Sequence, residues 1–232
     1  MVAVTLPAVF VACSSSGGDD NPTTAASLPA ADDLLTASAA AMKDVDSARF
    51  ALAGEGSIQG VEVKSADGTV TSDGRAQGTV NIVQSGSNVS LELVVIGQPS
   101  GEPDIYIKGP TGVFVRLPAG SAGTVFDPSQ ILNPDKGLAQ LMEFATDAKT
   151  VGEETVSGVD TYKVEAQLDG TLVSHLMPIQ AVNKVPGTLW IDKDTNRLVR
   201  ISVTTPQPGG ETAELTLDLT DFGVEANITP PA

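Results

Sequence analysis

Cysteine is nearly absent from this chain of 232 residues: Cys13 stands alone. A lone thiol cannot form a disulfide within the chain. A zinc site built from Cys and His has no material either, because His175 is the sole histidine. Ser-His-Asp catalysis would have to recruit His175, yet no Gly-x-Ser-x-Gly elbow accompanies it, and His175 reads as structural. Walker-type and dinucleotide-binding glycine motifs are missing as well. The sequence therefore offers no enzyme, no cofactor and no metal site. Basic residues are few: 13 Lys and Arg against 29 Asp and Glu leave a formal net charge of -16. That removes the basic footprint a nucleic-acid partner requires and the broad positive surface that anionic headgroups attract. Aromatics amount to 4 %, so the 41 % hydrophobic content is mostly Val, Leu, Ile and Ala.

Two acidic patterns need weighing against this background. Asp192-x-Asp194-x-Asn196 has the opening of a calcium loop, but Arg197 occupies the sixth position, where glycine is required, and Val203 the twelfth, where Glu is required. It reads as a hairpin turn. The pairs Asp19-Asp20, Asp32-Asp33 and Glu153-Glu154 are solvated charges rather than glycosidase carboxylates.

What the chain does have begins at its amino terminus. Val2 to Ala12 is apolar and uncharged and ends at Cys13. It is too short for a spanning helix, which needs about 20 residues, but suits the apolar region of a signal peptide. Phe10-Val11-Ala12-Cys13 resembles a bacterial lipobox, departing from it in Phe10 and the bulk of Val11. The basic start of a signal peptide is absent, which a start upstream of Met1 would explain. Ser14 to Ala31 is polar and rich in Ser, Gly, Asp and Thr, a flexible tether able to reach roughly 60 Å when extended. The expected organisation is a signal peptide over 1–12, a lipidated Cys13 with its tether over 13–31, and one domain over 32–232.

Within that domain Asp32-Asp33, Leu34, Leu35, Ala39, Met42 and Lys43 predict a first helix with one apolar face. From Ser47 the period changes to two, seen in Thr79 to Ile82, Val89 to Leu93, Ile105 to Lys108 and Val113 to Leu117. Such spacing predicts antiparallel strands in a meander. Asn133-Pro134 predicts a helix start, continued by Leu138, Leu141, Met142 and Ala145. Strands then resume at Tyr162 to Leu168, Thr188 to Ile191, Leu198 to Val203 and Glu214 to Leu219, with a short helix over Leu172 to Met177 ended by Pro178. Asn227 to Ala232 is expected to fray. One sheet with helices on one face, curled by strand twist, is the α+β architecture these patterns favour.

The stretch from Phe126 to Val164 resembles the LppX/LprA/LprF/LprG lipoproteins of mycobacteria. The resemblance is carried by Asp127-Pro128, Leu132-Asn133-Pro134, Gly137-Leu138 and Asp147-Ala148-Lys149. Met42-Lys43 through Ser47-Ala48, Val185-Pro186 and Leu189-Trp190-Ile191 extend it over about residues 30 to 230. It implies a curved antiparallel sheet, a half-barrel, with helices covering the concave face. It also implies a non-enzymatic carrier of acylated lipids or glycolipids at the extracytoplasmic face of the cell membrane, held there by its lipid anchor, with a membrane transporter as a further partner. The inward candidates are Val80, Ile82, Leu91, Leu93 and Val95 on strands and Leu138, Leu141, Met142 and Leu176 on helices. Packed core and ligand contact are both open for each of them. Two other functions remain: an envelope scaffolding lipoprotein with a solid core and a protein partner, and an enzyme acting on envelope lipid, which lacks a nucleophile-base pair.

Mass spectrometry of the protein purified from membranes is expected to find a chain that begins at an acylated Cys13. An unmodified Cys13 with Val2 to Ala12 retained refutes the anchor.

Overall fold

The computed structural model describes residues 27–58, 61–98, 102–118, 127–179, 181, 183–206 and 212–231. Cys13, the signal segment and most of the tether lie outside the described residues. The elements run α1 (Ala31–Lys43), β1 (Ser47–Ile58), β2 (Val61–Thr71), β3 (Ala76–Gln84), β4 (Ser87–Ile96), β5 (Asp104–Lys108) and β6 (Phe114–Arg116). A 3-10 turn (Pro128–Gln130), α2 (Leu138–Glu143), β7 (Thr146–Val156), β8 (Val159–Leu168), α3 (Gly170–Leu176), β9 (Val185–Asp192), β10 (Leu198–Pro206) and β11 (Thr212–Thr220) complete the chain.

The strands make one antiparallel sheet of eleven, ordered β6-β5-β4-β3-β2-β1-β11-β10-β9-β8-β7. It consists of two meanders joined where the first strand meets the last. At that seam Phe50 lies opposite Leu219 and Leu52 opposite Leu217. Alternation works as the sequence predicts: Ala48, Phe50 and Leu52 are buried while Arg49 and Ala51 are exposed, and Leu215, Leu217 and Leu219 are buried on β11. The sheet stays open, a half-barrel with β6 and β7 as its edges. β6 is only three residues long, and β7 is interrupted by bulges between Thr146 and Lys149 and between Thr150 and Gly152. Short or bulged edges resist pairing with other chains. In the β2–β3 pair, Gly68 faces Gly78. A Cβ on Gly78 would lie 2.1 Å from the Asp67 carbonyl oxygen, so the two backbones approach more closely there than any side chain allows.

All three helices of the described residues lie on the sheet's apolar face. α1 turns Leu34, Leu35, Ser38, Ala39 and Met42 inward, with Asp32 and Asp33 in its first turn and Lys43 in its last, matching the helix dipole. α2 buries Leu138, Ala139, Leu141 and Met142. α3 buries Val173 and Leu176 and is capped by Asp169, whose carboxylate accepts from the Thr171 and Leu172 amides at 2.9 and 3.0 Å. Lys43 Nζ meets Glu143 Oε1 at 2.5 Å, tying α1 to α2. Thr150 Oγ1 donates to the Pro29 carbonyl at 2.8 Å, tying the start of α1 to β7.

Three expectations change. Asn133-Pro134 forms a turn rather than a helix start. The Asn133 side chain accepts from the Asp135 and Lys136 amides, both at 3.0 Å, but Gly137 is extended (φ -91, ψ -154) and resets the chain, so the helix begins at Leu138. The close carbonyls of Asn133, Ile131 and Gln130 would collide with any Cβ at Gly137. Second, α2 stops at Glu143, and β7 follows where the sequence pattern showed no strand: burial alternates from Thr146 to Glu153, but the half-buried positions are Thr146, Ala148, Thr150 and Gly152, so no apolar period of two marks them. Third, the carboxy terminus is pinned rather than frayed along its whole length. Ile228 is buried, and Ser47 Oγ donates to the Val224 carbonyl at 2.6 Å. The Asp192 turn is as expected: its carboxylate accepts from the Asp194 amide at 2.8 Å and the Thr195 hydroxyl at 2.6 Å.

The outer face carries a separate small cluster. Trp190 packs there with Val156 and Val199, opposite in direction to its neighbours Leu189 and Ile191. Its indole N–H donates to Glu154 at 3.1 Å, while Lys163 Nζ and Arg200 Cζ stand 5.1 and 5.8 Å from its ring centroid. Arg200 in turn donates to Asp218 at 3.0 Å, a bond that raises its pKa. The hydrogen bond from Trp190, and then that from Lys163, hold the Glu154 carboxyl below the usual carboxylate range. A carboxylate depressed on folding stabilises the fold above the unfolded carboxylate range, and the contribution vanishes as pH falls through the folded value.

Three outcomes follow from this packing. Leu217→Ala at the seam should cost about 3 kcal/mol in denaturant unfolding, whereas Thr216→Ala beside it should cost well under 1 kcal/mol. Gly78→Ala should cost about 2 kcal/mol or more, since backbone rather than a side chain must move. The fluorescence of Trp190, the one tryptophan, should titrate in acid with a midpoint below that of an ordinary Glu, and Glu154→Gln should abolish the step.

Candidate functional site

The space between the sheet's apolar face and the helices is where sequence and structure converge. β3 and β4 set Val80 opposite Leu91 and Ala76 opposite Val95, and Leu93 lies across from Gly78. Val80, Ile82, Leu93 and Val95 are buried and Leu91 is half-buried. From the helix side Leu138, Leu141, Met142 and Leu176 are buried. All nine residues belong to one apolar cluster, Leu91 at its partly exposed margin. The same cluster takes in Leu34, Leu35, Ala39 and Met42 of α1 and Leu189, Ile201, Val203, Leu215 and Leu217 of the central and later strands. These strand residues form the middle of the interior. Only the alternation of their strands could have marked them.

Among the described residues the apolar cluster is almost wholly aliphatic, with Phe50 its buried aromatic, and none of its members is charged. The buried charged residue of the described set, Asp127, spends its carboxylate on capping the 3-10 turn, accepting from the Ser129 amide at 3.0 Å and its hydroxyl at 2.6 Å. Ser38 is different. It is fully buried in the middle of α1's inward stripe, and its hydroxyl has no hydrogen-bond partner among the described residues.

A groove of about 440 Å³ runs along α1 on its α2 side and opens to solvent. Leu35, Ala39 and Met142 line its apolar part, and the Lys43–Glu143 pair borders it. Phe144, between lining residues Glu143 and Ala145, is 58 % exposed. Another depression, of about 380 Å³, lies on the outer face over β7 to β11. It is polar, lined by Glu165, Gln167, Thr188, Ser202 and Glu214 among others, and Ser202 spends its hydroxyl on Glu214. No group of three or more His, Cys, Asp or Glu among the described residues is placed to hold a metal ion. His175 sits exposed in the last turn of α3, which places it outside the core. No helix of the described residues is long and apolar enough to cross a membrane.

The arrangement offers an apolar interior, an open sheet and buried aliphatic and methionine side chains on the helices. Known proteins with the same architecture bear on what such an interior is for. The lipoarabinomannan carrier protein LprG of Mycolicibacterium smegmatis is 30 % identical over 202 residues, 86 % of this chain and 82 % of that protein. The lipoprotein LprA of Mycobacterium tuberculosis is 27 % identical over 208 residues, covering 85 % of this chain and 80 % of its own. Among solved structures, LprF of Mycobacterium bovis superimposes with a TM-score of 0.70 at 22 % identity, covering 87 % of this chain and 97 % of that one. LppX of M. tuberculosis gives 0.59 at 22 % identity, over 85 % and 98 %. These two structures share the fold. The sequence profile of the LppX_LprAFG lipoproteins matches residues 30–228. With that match spanning nearly the whole described body, the chain belongs to the LppX_LprAFG lipoprotein family.

Proposed function

We propose that this protein is an envelope lipoprotein that binds acylated lipids or glycolipids between the sheet and the helices and carries them across the cell envelope. The observation that carries the reading is the continuous, uncharged aliphatic interior under an unclosed sheet, in a family whose curated relatives are named lipoarabinomannan carriers. Each methylene moved from water into such an interior contributes about 0.8 kcal/mol, so acyl chains need no specific polar contact to bind. A sugar headgroup would remain outside, because its hydroxyls lose water without compensation in an aliphatic space. Val80, Ile82, Leu91, Leu93 and Val95 form one wall of the proposed site and Leu138, Leu141, Met142 and Leu176 the other. Cys13, acylated, holds the carrier to the extracytoplasmic face of the membrane, and a membrane transporter supplies or receives the cargo. The acidic body, with net charge -16, is repelled by anionic surfaces and stays free of them between encounters.

Purification under native conditions followed by lipid extraction is expected to recover an acylated lipid in near-stoichiometric amount. A protein that carries none and takes none up from vesicles, yet captures a stoichiometric protein partner, instead establishes the scaffolding role. Leu91→Trp, at the partly exposed margin of the interior, should reduce lipid uptake about tenfold or more while leaving the circular dichroism of the sheet unchanged.

A further inference from the structure

The hydroxyl of Ser38 has no hydrogen-bond partner among the described residues. Its position in α1 sets it between Leu34 and Leu35 on one turn and Met42 on the next, all facing the apolar cluster. A serine inside a helix usually returns its hydroxyl to the carbonyl four residues back. Thr36 does so, donating to the Asp32 carbonyl at 2.8 Å, and Ser174 does so in α3, donating to Gly170 at 2.8 Å. Ser38 does not: its oxygen is fully buried without a partner. A buried hydroxyl left unpaired destabilises the protein that carries it, and alanine, a better helix former, would fit the same stripe. Other buried hydroxyls are committed: Ser47 to the Val224 carbonyl, Ser129 to Asp127 and Thr161 to the Glu154 carbonyl, each at 2.6 Å, and Ser202 to Glu214.

We propose that Ser38 is a ligand-binding residue whose hydroxyl donates a hydrogen bond to the ester carbonyl of an acylated ligand. This deepens the carrier reading and rests on it. An acylated lipid has one strongly accepting group at the boundary between chain and headgroup, its ester carbonyl. An otherwise aliphatic space can satisfy that carbonyl only where a buried donor is held free, and Ser38 is such a donor. It stands beside Leu35 and Ala39, which line the groove along α1. The carbonyl would thus lie at the level of α1, with the acyl chain running inward toward Leu138, Leu141 and Leu176 and the headgroup directed along the groove to solvent. The bond gives a hydrocarbon-binding interior a way to register where an acyl chain begins.

The test compares wild type with Ser38→Ala using two probes, a diacyl phosphatidylcholine and its dialkyl ether analogue, which lacks the carbonyls. Ser38→Ala should weaken binding of the ester lipid roughly five- to tenfold, the range of one hydrogen bond, and leave the ether lipid unchanged. The empty variant should unfold at the same denaturant concentration as wild type or a higher one. Equal loss for both probes, no loss for the ester, or a destabilised empty variant, as expected of a hydroxyl satisfied within the fold, overturns the proposal. Ser38→Thr, which restores the hydroxyl, should recover ester preference. A wild type that binds neither probe refutes the carrier function itself, a result distinct from the failure of Ser38.

Discussion

The pairing of β1 with β11 is the constraint on which the rest of the molecule depends. Two meanders, each built from local hairpins, become one sheet only because a strand near the start of the domain lies beside the last. The register at that seam sets Phe50 against Leu219 and Leu52 against Leu217, which aligns the apolar faces of both halves. A slip of one residue would turn every leucine of β11 to solvent. The carboxy-terminal segment reinforces the seam from outside: Gly223 donates its amide to Ser47 at 2.8 Å and Ile228 is buried.

A sheet of this breadth with one apolar face must be covered, and the chain supplies the cover from three separate places. α1 precedes the sheet, α2 joins its two halves and α3 interrupts the second. They meet each other through few polar bonds, of which Lys43 to Glu143 spans α1 and α2. That pair is exposed, and such pairs contribute about 1 kcal/mol or less. The helices are therefore held mainly by the aliphatic cluster beneath them, with side chains that lack the rigidity and bulk of aromatics. A cover attached by non-directional contacts to an open sheet is compatible with the proposed lipid binding, because no polar network has to be broken and rebuilt.

Polar interactions are concentrated on the opposite face. Trp190, Glu154, Lys163, Arg200 and Asp218 form a connected group there, and Lys193 to Glu153 and Lys108 to Glu92 add cross-strand pairs at 2.7 and 2.6 Å. This outer network stiffens the sheet without touching the interior. Ser38 is the exception to the division. It is a polar atom on the apolar side with no partner among the described residues.

The order of residues by itself determined the fold class and much of which side chains face the apolar cluster. Alternation in β3, β4, β8 and β11 marked inward residues because a strand's two faces are written two residues apart, and the faces of α1 and α2 were legible for the same local reason. Where local signals were weak, the reading failed: polar and small residues at its half-buried positions hid β7, Gly137 cut short the helix expected from Asn133-Pro134, and the burial of Ile228 carried no local mark. Only the tertiary structure decided which strands pair, since β1 and β11 are joined by contacts far apart in sequence, and that Lys43 meets Glu143 across the helices. It alone shows that Ser38 is buried without a partner, because satisfaction of a hydroxyl depends on every group packed around it, and no neighbouring residue in the chain records that.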